Sequence, residues 1–135
     1  MKVLLIMNPG LRSGKGKRLW RFWESSLKAK GIIFDSVITT RTGHGVELAK
    51  NAKDYATVVA VGGDGTINEV LDGVIQSGRS NLRMGVLYSG TSPDFCKFHN
   101  IPVSPLDAVE TLLEGLSNKV DVGKITYSSA NGEMT

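Results

Sequence analysis

Cysteine is nearly missing from this chain. Cys96 stands alone, so no internal disulfide can form, and a reducing cytoplasm is the expected compartment. Its neighbours are apolar or aromatic, which suits a buried thiol better than a nucleophile. Long apolar runs are missing too. Nothing approaches the roughly 20 apolar residues of a membrane span. The N-terminal run Met1–Met7 starts like a signal peptide but stops at Asn8-Pro9-Gly10 without a small-residue cleavage site, so it reads as a first strand. Repeats, low-complexity tracts and long linkers are absent. What remains is 135 residues, 41% hydrophobic and 21% charged, the make-up of a single globular domain with a real core.

Acidic residues are scarce at one end. Arg12, Lys15, Lys17, Arg18, Arg21, Lys28 and Lys30 crowd the first thirty residues, where Glu24 is the only acid, and the net charge is +3. That surplus suits phosphates or an anionic membrane surface; it equally suits a solvated helix face. Nucleic acid is not expected as a partner, because no helix-turn-helix, zinc or RNA-recognition signature accompanies the charge.

Strand and helix signals alternate from end to end. Lys2–Met7 reads as a strand, apolar throughout and so central. Asn8–Lys17 is a glycine-rich basic loop. Gly16–Lys30 is a helix with Leu19, Trp20, Trp23 and Leu27 on its inner face and Gly31 as its stop. Strands follow at Ile32–Ile38, Thr57–Val61 and Leu82–Leu87, with helices at Val46–Lys53 and, after the third strand, a long one to about Ser77. Ser92-Pro93 and Ser104-Pro105 are both helix starts, an N-cap followed by proline; the second helix runs to Glu114-Gly115. Val120–Ser128 is a last strand. This alternation predicts an α/β fold, a three-layer α/β/α sandwich around a mostly parallel sheet, with ligands at the carboxyl ends of the strands.

The most informative stretch is Val58–Val70. A β-branched run ends in Gly62-Gly63-Asp64-Gly65-Thr66, and an apolar helical pattern starts at once with Ile67, Val70, Leu71, Val74 and Ile75. Glycines let backbone approach a ligand closely, and the helix start behind them offers free N–H groups to an anion, phosphate above all. Asp64 would repel bare phosphate, but it suits a magnesium ion or an attacking hydroxyl. A purely structural alternative exists: Thr66-x-x-Glu69 fits a capping box, with Thr66 as N-cap and Glu69 reaching back.

Two familiar phosphate loops are excluded. Gly10-Leu11-Arg12-Ser13-Gly14-Lys15-Gly16 has three residues between its first two glycines where a Walker A loop needs four, and its lysine precedes glycine rather than Ser or Thr. The dinucleotide G-x-G-x-x-G fingerprint does not occur either.

The nonapeptide Gly62–Val70 does resemble the nucleotide-binding motif shared by diacylglycerol kinases, sphingosine and other lipid kinases, and NAD kinases. Four more blocks point to the lipid-kinase branch. Asn8-Pro9-Gly10-x-x-Ser13-Gly14-Lys15-Gly16 looks like its first motif, and Thr39-Thr40-x-x-Gly43-His44-Gly45 is similar to its second. Ser89-Gly90-Thr91-Ser92-Pro93-Asp94-Phe95 sits where the family has a Gly-Thr-Gly/Ala-Asn-Asp-Phe loop, and Val120-Asp121-Val122-Gly123 matches the lead into the family's second domain. Five blocks in order cover essentially the whole chain.

The resemblance implies a lipid kinase like the diacylglycerol kinases, passing the γ-phosphoryl of Mg-ATP to a lipid hydroxyl, with ATP and magnesium as cofactors. It implies nucleotide contacts from Asn8, Ser13, Gly14, Lys15, Thr39, Thr40, Gly62, Gly63, Asp64, Gly65, Thr66, Ile67, Asn68, Glu69 and Thr91. Asp64 takes the catalytic place near the γ-phosphate and the acceptor hydroxyl. No metal ligand is assigned within this chain. His44 stands where the family often has histidine; a helix-start role suits it at least as well as chemistry. A cytoplasmic protein transiently at the membrane surface follows, its partners being ATP, a lipid and the peripheral membrane.

Ser92-Pro93 departs from the family's Gly/Ala-Asn. Proline has no N–H and the asparagine amide is gone. That departure keeps two alternatives open: an NAD kinase-like or other small-molecule kinase, and a non-catalytic nucleotide-binding module. At the far end, Asn131-Gly132 is a type I′ hairpin signal with only Glu133-Met134-Thr135 after it. A nucleotide-binding domain over residues 1–120 and the start of a truncated β-sandwich domain over 121–135 are therefore expected, with the piece inactive or weakly ATP-binding alone. An unpaired edge there predicts a homodimer through the C-terminal strand.

Overall fold

The apolar runs separate into two kinds once folded. A computed structural model describes residues 2–8, 13–89 and 104–117 of the chain. In it β1 (Val3–Met7), β2 (Phe34–Ile38), β3 (Thr57–Gly62) and β4 (Arg83–Tyr88) form one sheet in the order β2-β1-β3-β4. Every pair is parallel; Val3 lies opposite both Phe34 and Thr57, and Gly62 lies opposite Tyr88. β1 and β3 are buried at every residue, whereas β2, on the edge, has only half-buried and exposed positions. Continuous burial on both faces is what a central parallel strand requires, and it explains why β1 is apolar throughout.

Helices cover both faces. On one side α1 (Ser13–Ala29) and α4 (Pro105–Ser117) pack Trp20, Trp23, Leu27, Val109 and Leu112 against Val3, Leu5, Val59 and Val61. On the other, α2 (His44–Lys50) and α3 (Asp64–Ser77) pack Ala49, Ile67, Val70 and Val74 against Leu4, Ile6, Val58 and Ala60. Alternate residues of each strand thus feed opposite cores, giving the expected three-layer α/β/α sandwich.

The ends of the elements follow local chemistry. Gly31 stops α1 in a left-handed conformation, φ 74°. Its N–H bonds to the Lys28 carbonyl and that of Ile32 to the Leu27 carbonyl, both at 3.0 Å, which is the Schellman arrangement. α1 starts at Ser13, earlier than the Gly16 start expected from the glycine-rich sequence. Two glycines in a first turn are tolerated because the N–H groups there have no helical partner to lose. Arg79, beyond α3, donates to the carbonyls of Ala52 (2.5 Å) and Tyr55 (2.9 Å), holding the turn that leads into β3. Arg83 donates to the Gly115 carbonyl at 2.8 Å, capping the end of α4.

The expectations for Cys96, Thr91, the Ser92-Pro93 helix start, the Val120–Ser128 strand, the Asn131-Gly132 hairpin, the boundary at 120/121 and a dimer through the C-terminal strand lie outside the described residues.

α2 and α3 cross so closely that a Cβ at Gly73 would strike the Val46 carbonyl oxygen and lie 2.6 Å from the Ala49 Cβ. Gly73→Ala is expected to destabilise the fold by about 1–3 kcal/mol, because overpacking forces backbone apart; urea denaturation measures it. At the sheet edge, the Tyr55 hydroxyl donates to Asp35 at 2.6 Å and the Lys2 ammonium lies 3.3 Å from the same oxygen. Tyr55 first, then Lys2, holds the Asp35 carboxyl below the ordinary carboxylate range. A depressed carboxyl contributes stability that is present above the ordinary value and lost as pH falls through the folded one. Tyr55→Phe is expected to raise the Asp35 titration towards its ordinary value and to reduce the acid-dependent loss of stability. Carboxyl NMR titration and denaturation at neutral and acidic pH check both.

Candidate functional site

The chain order creates the site. From β1 it passes to β2 on one side; from β2 it returns past β1 to β3 on the other. The carboxyl ends of β1 and β3 therefore diverge into opposite layers, leaving the crevice where ligands of open α/β sheets bind. Asn8, Thr39, Gly63 and Ser89 leave the sheet at this same end. They are stitched together by backbone bonds: Asn8 N–H to the Val61 carbonyl (3.0 Å), Thr39 N–H to Met7 (2.8 Å) and Ser89 N–H to Gly62 (2.8 Å).

The glycine turn sits at the centre. β3 ends at Gly62, Gly63 is the extended N-cap (φ −99°, ψ −165°), and α3 begins at Asp64. The Ile67 N–H makes the first helical bond, to the Gly63 carbonyl at 3.0 Å. Among the described residues no side chain caps the helix, so none of them takes up the N–H groups of its first turn. Gly62 is packed tightly: a Cβ there would lie 2.7 Å from Thr66 Oγ1 and 3.0 Å from Thr66 Cβ. Gly65 is the opposite, exposed, with none of the described residues within 4 Å of where its Cβ would be. One glycine serves the turn's packing; the other leaves open space above the helix start.

Asp64 is half-buried, and its Oδ1 is inaccessible with no hydrogen-bond partner among the described residues. A buried carboxylate oxygen without a partner is costly and calls for a cation or a donor from a ligand. Among the described residues, no group of three His, Cys, Asp or Glu side chains could hold a metal alone.

The capping-box reading of Thr66 and Glu69 is corrected. The helix starts earlier than that reading requires, so Thr66 is its third residue, buried against Gly62. Glu69 does not reach back. Its Oε2 accepts from the Gly43 N–H and its Oε1 from the Gly45 N–H, each at 3.0 Å. Gly43, left-handed at φ 86°, is the N-cap of α2 and has no cap of its own, so Glu69 caps α2 from the neighbouring helix. His44, first residue of α2, accepts the Thr40 N–H on Nδ1 at 3.0 Å, leaving its neutral proton on Nε2. The helix-start role is the one its geometry shows.

The structure thus brings Asn8, Thr39, Thr40, Gly62 to Thr66 and Asn68 to one end of the sheet or the helix start beyond it, with Asn68 exposed on α3 and Ile67 in the core. Ser13, Gly14 and Lys15 lie in the first turn of α1, which follows β1.

Over residues 2–125 the sequence matches the diacylglycerol kinase catalytic domain. The chain belongs to that family. It is 32% identical over 126 residues to a diacylglycerol kinase of Staphylococcus carnosus (strain TM300), covering 92% of this chain and 41% of that protein. It is 32% identical over 141 residues to one of Staphylococcus aureus (strain bovine RF122 / ET3-1), covering 99% of this chain and 44% of that protein. The diacylglycerol kinase catalytic domain seen here therefore spans about two fifths of the length of these relatives. The fold is shared with a crystal structure of a diacylglycerol kinase from Bacillus anthracis str. Sterne, with TM-score 0.69, 23% identity, and coverage of 82% of this chain and 39% of that one.

The two glycines of the turn give opposite expectations. Gly62→Ala should cost about 1–3 kcal/mol through its clash with Thr66. Gly65→Ala should be neutral, or stabilising by up to about 1 kcal/mol, since alanine is the better helix former and meets nothing. Paired thermal melts read the contrast.

Proposed function

We propose that this chain is the nucleotide-binding domain of an ATP-dependent lipid kinase of the diacylglycerol kinase type, one that passes the γ-phosphoryl of ATP to a lipid hydroxyl. The observation that carries this reading is the start of α3 at the switch point, uncapped among the described residues, with the Oδ1 of Asp64 beside it, which has no partner among them. N–H groups of the first turn receive phosphate oxygens, and the space over Gly65 admits them. Asn8, Thr39 and Thr40 flank the same crevice from β1 and β2. Asp64 faces the reacting phosphoryl group and the acceptor hydroxyl.

The donor set fits magnesium. That ion keeps several waters and takes one or two carboxylates plus phosphate oxygens, so a single free carboxylate oxygen suffices on this side. When bound, it neutralises charge on the transferring phosphoryl group. The chain's own contribution is to hold and orient the nucleotide, since phosphoryl transfer needs little covalent help.

The lipid side is served by charge. Lys17, Arg18, Arg21 and Lys28 are exposed on α1, together with Phe22 at 39% exposure. None of the four cations makes an ion pair among the described residues. This face suits transient contact with an anionic membrane surface. No helix among the described residues is long and apolar enough to cross a membrane.

Mg-ATP or Mg-ADP should raise the melting temperature of this chain by mass action. Gly65→Ala should keep the fold and lose most of that rise. Asp64→Asn should leave the protein folded with little loss of stability, yet abolish transfer of labelled phosphate to a panel of lipids by the protein carrying this domain. Absence of any shift at millimolar nucleotide, or labelling of no lipid, would refute the proposal.

A further inference from the structure

The geometry points to Glu69 as a positioning residue, one that sets the Thr39–Gly45 loop against the glycine turn without touching the nucleotide. This inference rests on the nucleotide reading above. Both carboxylate oxygens of Glu69 are already engaged, one by the Gly43 N–H and one by the Gly45 N–H. Two parallel donors need two acceptor oxygens, which a carboxylate has and an amide lacks. Gly45 is buried hard against this group: a Cβ there would lie 2.8 Å from Glu69 Oε1 and 3.1 Å from Glu69 Cβ.

The loop has other anchors: its Arg41 pairs with Glu47 of α2 at 2.8 Å, and the Gly43 carbonyl accepts from the Glu47 N–H at 3.3 Å. Thr39 bonds to Met7 through its N–H at 2.8 Å and its hydroxyl at 3.4 Å. Within the loop, the Thr40 N–H bonds to His44 Nδ1 and the His44 N–H to the Arg41 carbonyl. That closed turn is carried by Gly43 and Gly45, and those two are carried by Glu69. Glu69 stands on α3, the helix whose first residue is Asp64. One rigid helix therefore fixes both the phosphate cradle and the loop bearing Thr39 and Thr40.

The two ends are well separated. The loop leaves β2 and the turn leaves β3, with β1 between them, which puts them roughly 10 Å apart at the usual strand spacing. A nucleotide with its phosphates at the turn reaches the loop with its nucleoside end. Glu69 thus acts on the nucleoside end alone.

Two probes separate the ends: Mg-ATP and magnesium tripolyphosphate, titrated calorimetrically into the chain at 10 °C, with far-UV circular dichroism confirming the fold. Glu69→Gln should weaken Mg-ATP about tenfold or more, the loss of a hydrogen bond to a charged group, and leave tripolyphosphate within about twofold. Gly45→Ala, which displaces the carboxylate without removing it, should do the same. Equal loss of both ligands, or of neither, in folded variants overturns the positioning role. So does failure of both variants to fold, which would make the contact a requirement of the fold itself. A wild-type chain that binds neither probe overturns the nucleotide reading, and this inference with it; a wild-type chain that binds both leaves the variants to decide this inference alone.

Discussion

Burial of β1 and β3 on both faces is the constraint on which the rest of this molecule depends. A strand with no exposed residue needs a helix above and a helix below. The chain meets that need by taking α1 to one face and α2 and α3 to the other, reversing direction about β1. That reversal parts the loops at one end of the sheet and opens the crevice there. Placement of the glycine turn at the end of β3 is thus inherited from core packing. A polar residue in the middle of β1 would remove more than stability, because it would remove the reason for two helical layers.

Much of this was legible in the residues. The unbroken apolar run of β1 announced a central strand, and the spacing of Trp20, Trp23 and Leu27 announced the buried side of α1. The sharp change from β-branched to helical periodicity at Gly62 placed the glycine turn between β3 and α3. Family motifs, read in order, pointed to the family that the comparison over residues 2–125 then established. Such signals are local: each needs only a few neighbouring residues to be recognised.

What the sequence hid was non-local. Thr66 and Glu69 have the spacing of a capping box, and only the path of α2 shows that Glu69 serves a different helix. Gly73 looks like a weak point in a helical pattern, yet it marks the closest approach of α2 and α3. Arg79 reads as one more surface cation, but its guanidinium satisfies two carbonyls of the turn before β3. The early start of α1 was concealed by glycines that signal a loop until the fold gives the chain a reason to coil. For Glu69, Gly73 and Arg79 the deciding partner lies more than twenty residues away, where periodicity has no reach.

The short length of α2 decides what it must borrow from its surroundings. Seven residues make fewer than two full helical turns, too few to persist in water by themselves. Its first N–H groups are satisfied from α3, and its flank is closed by the glycine of that same helix. α2 is therefore a dependent element, held by its docking on α3 rather than by its own few helical bonds. Amide exchange in the stretch from Thr39 to Lys50 is the measurement that reads this dependence of one helix on its neighbour.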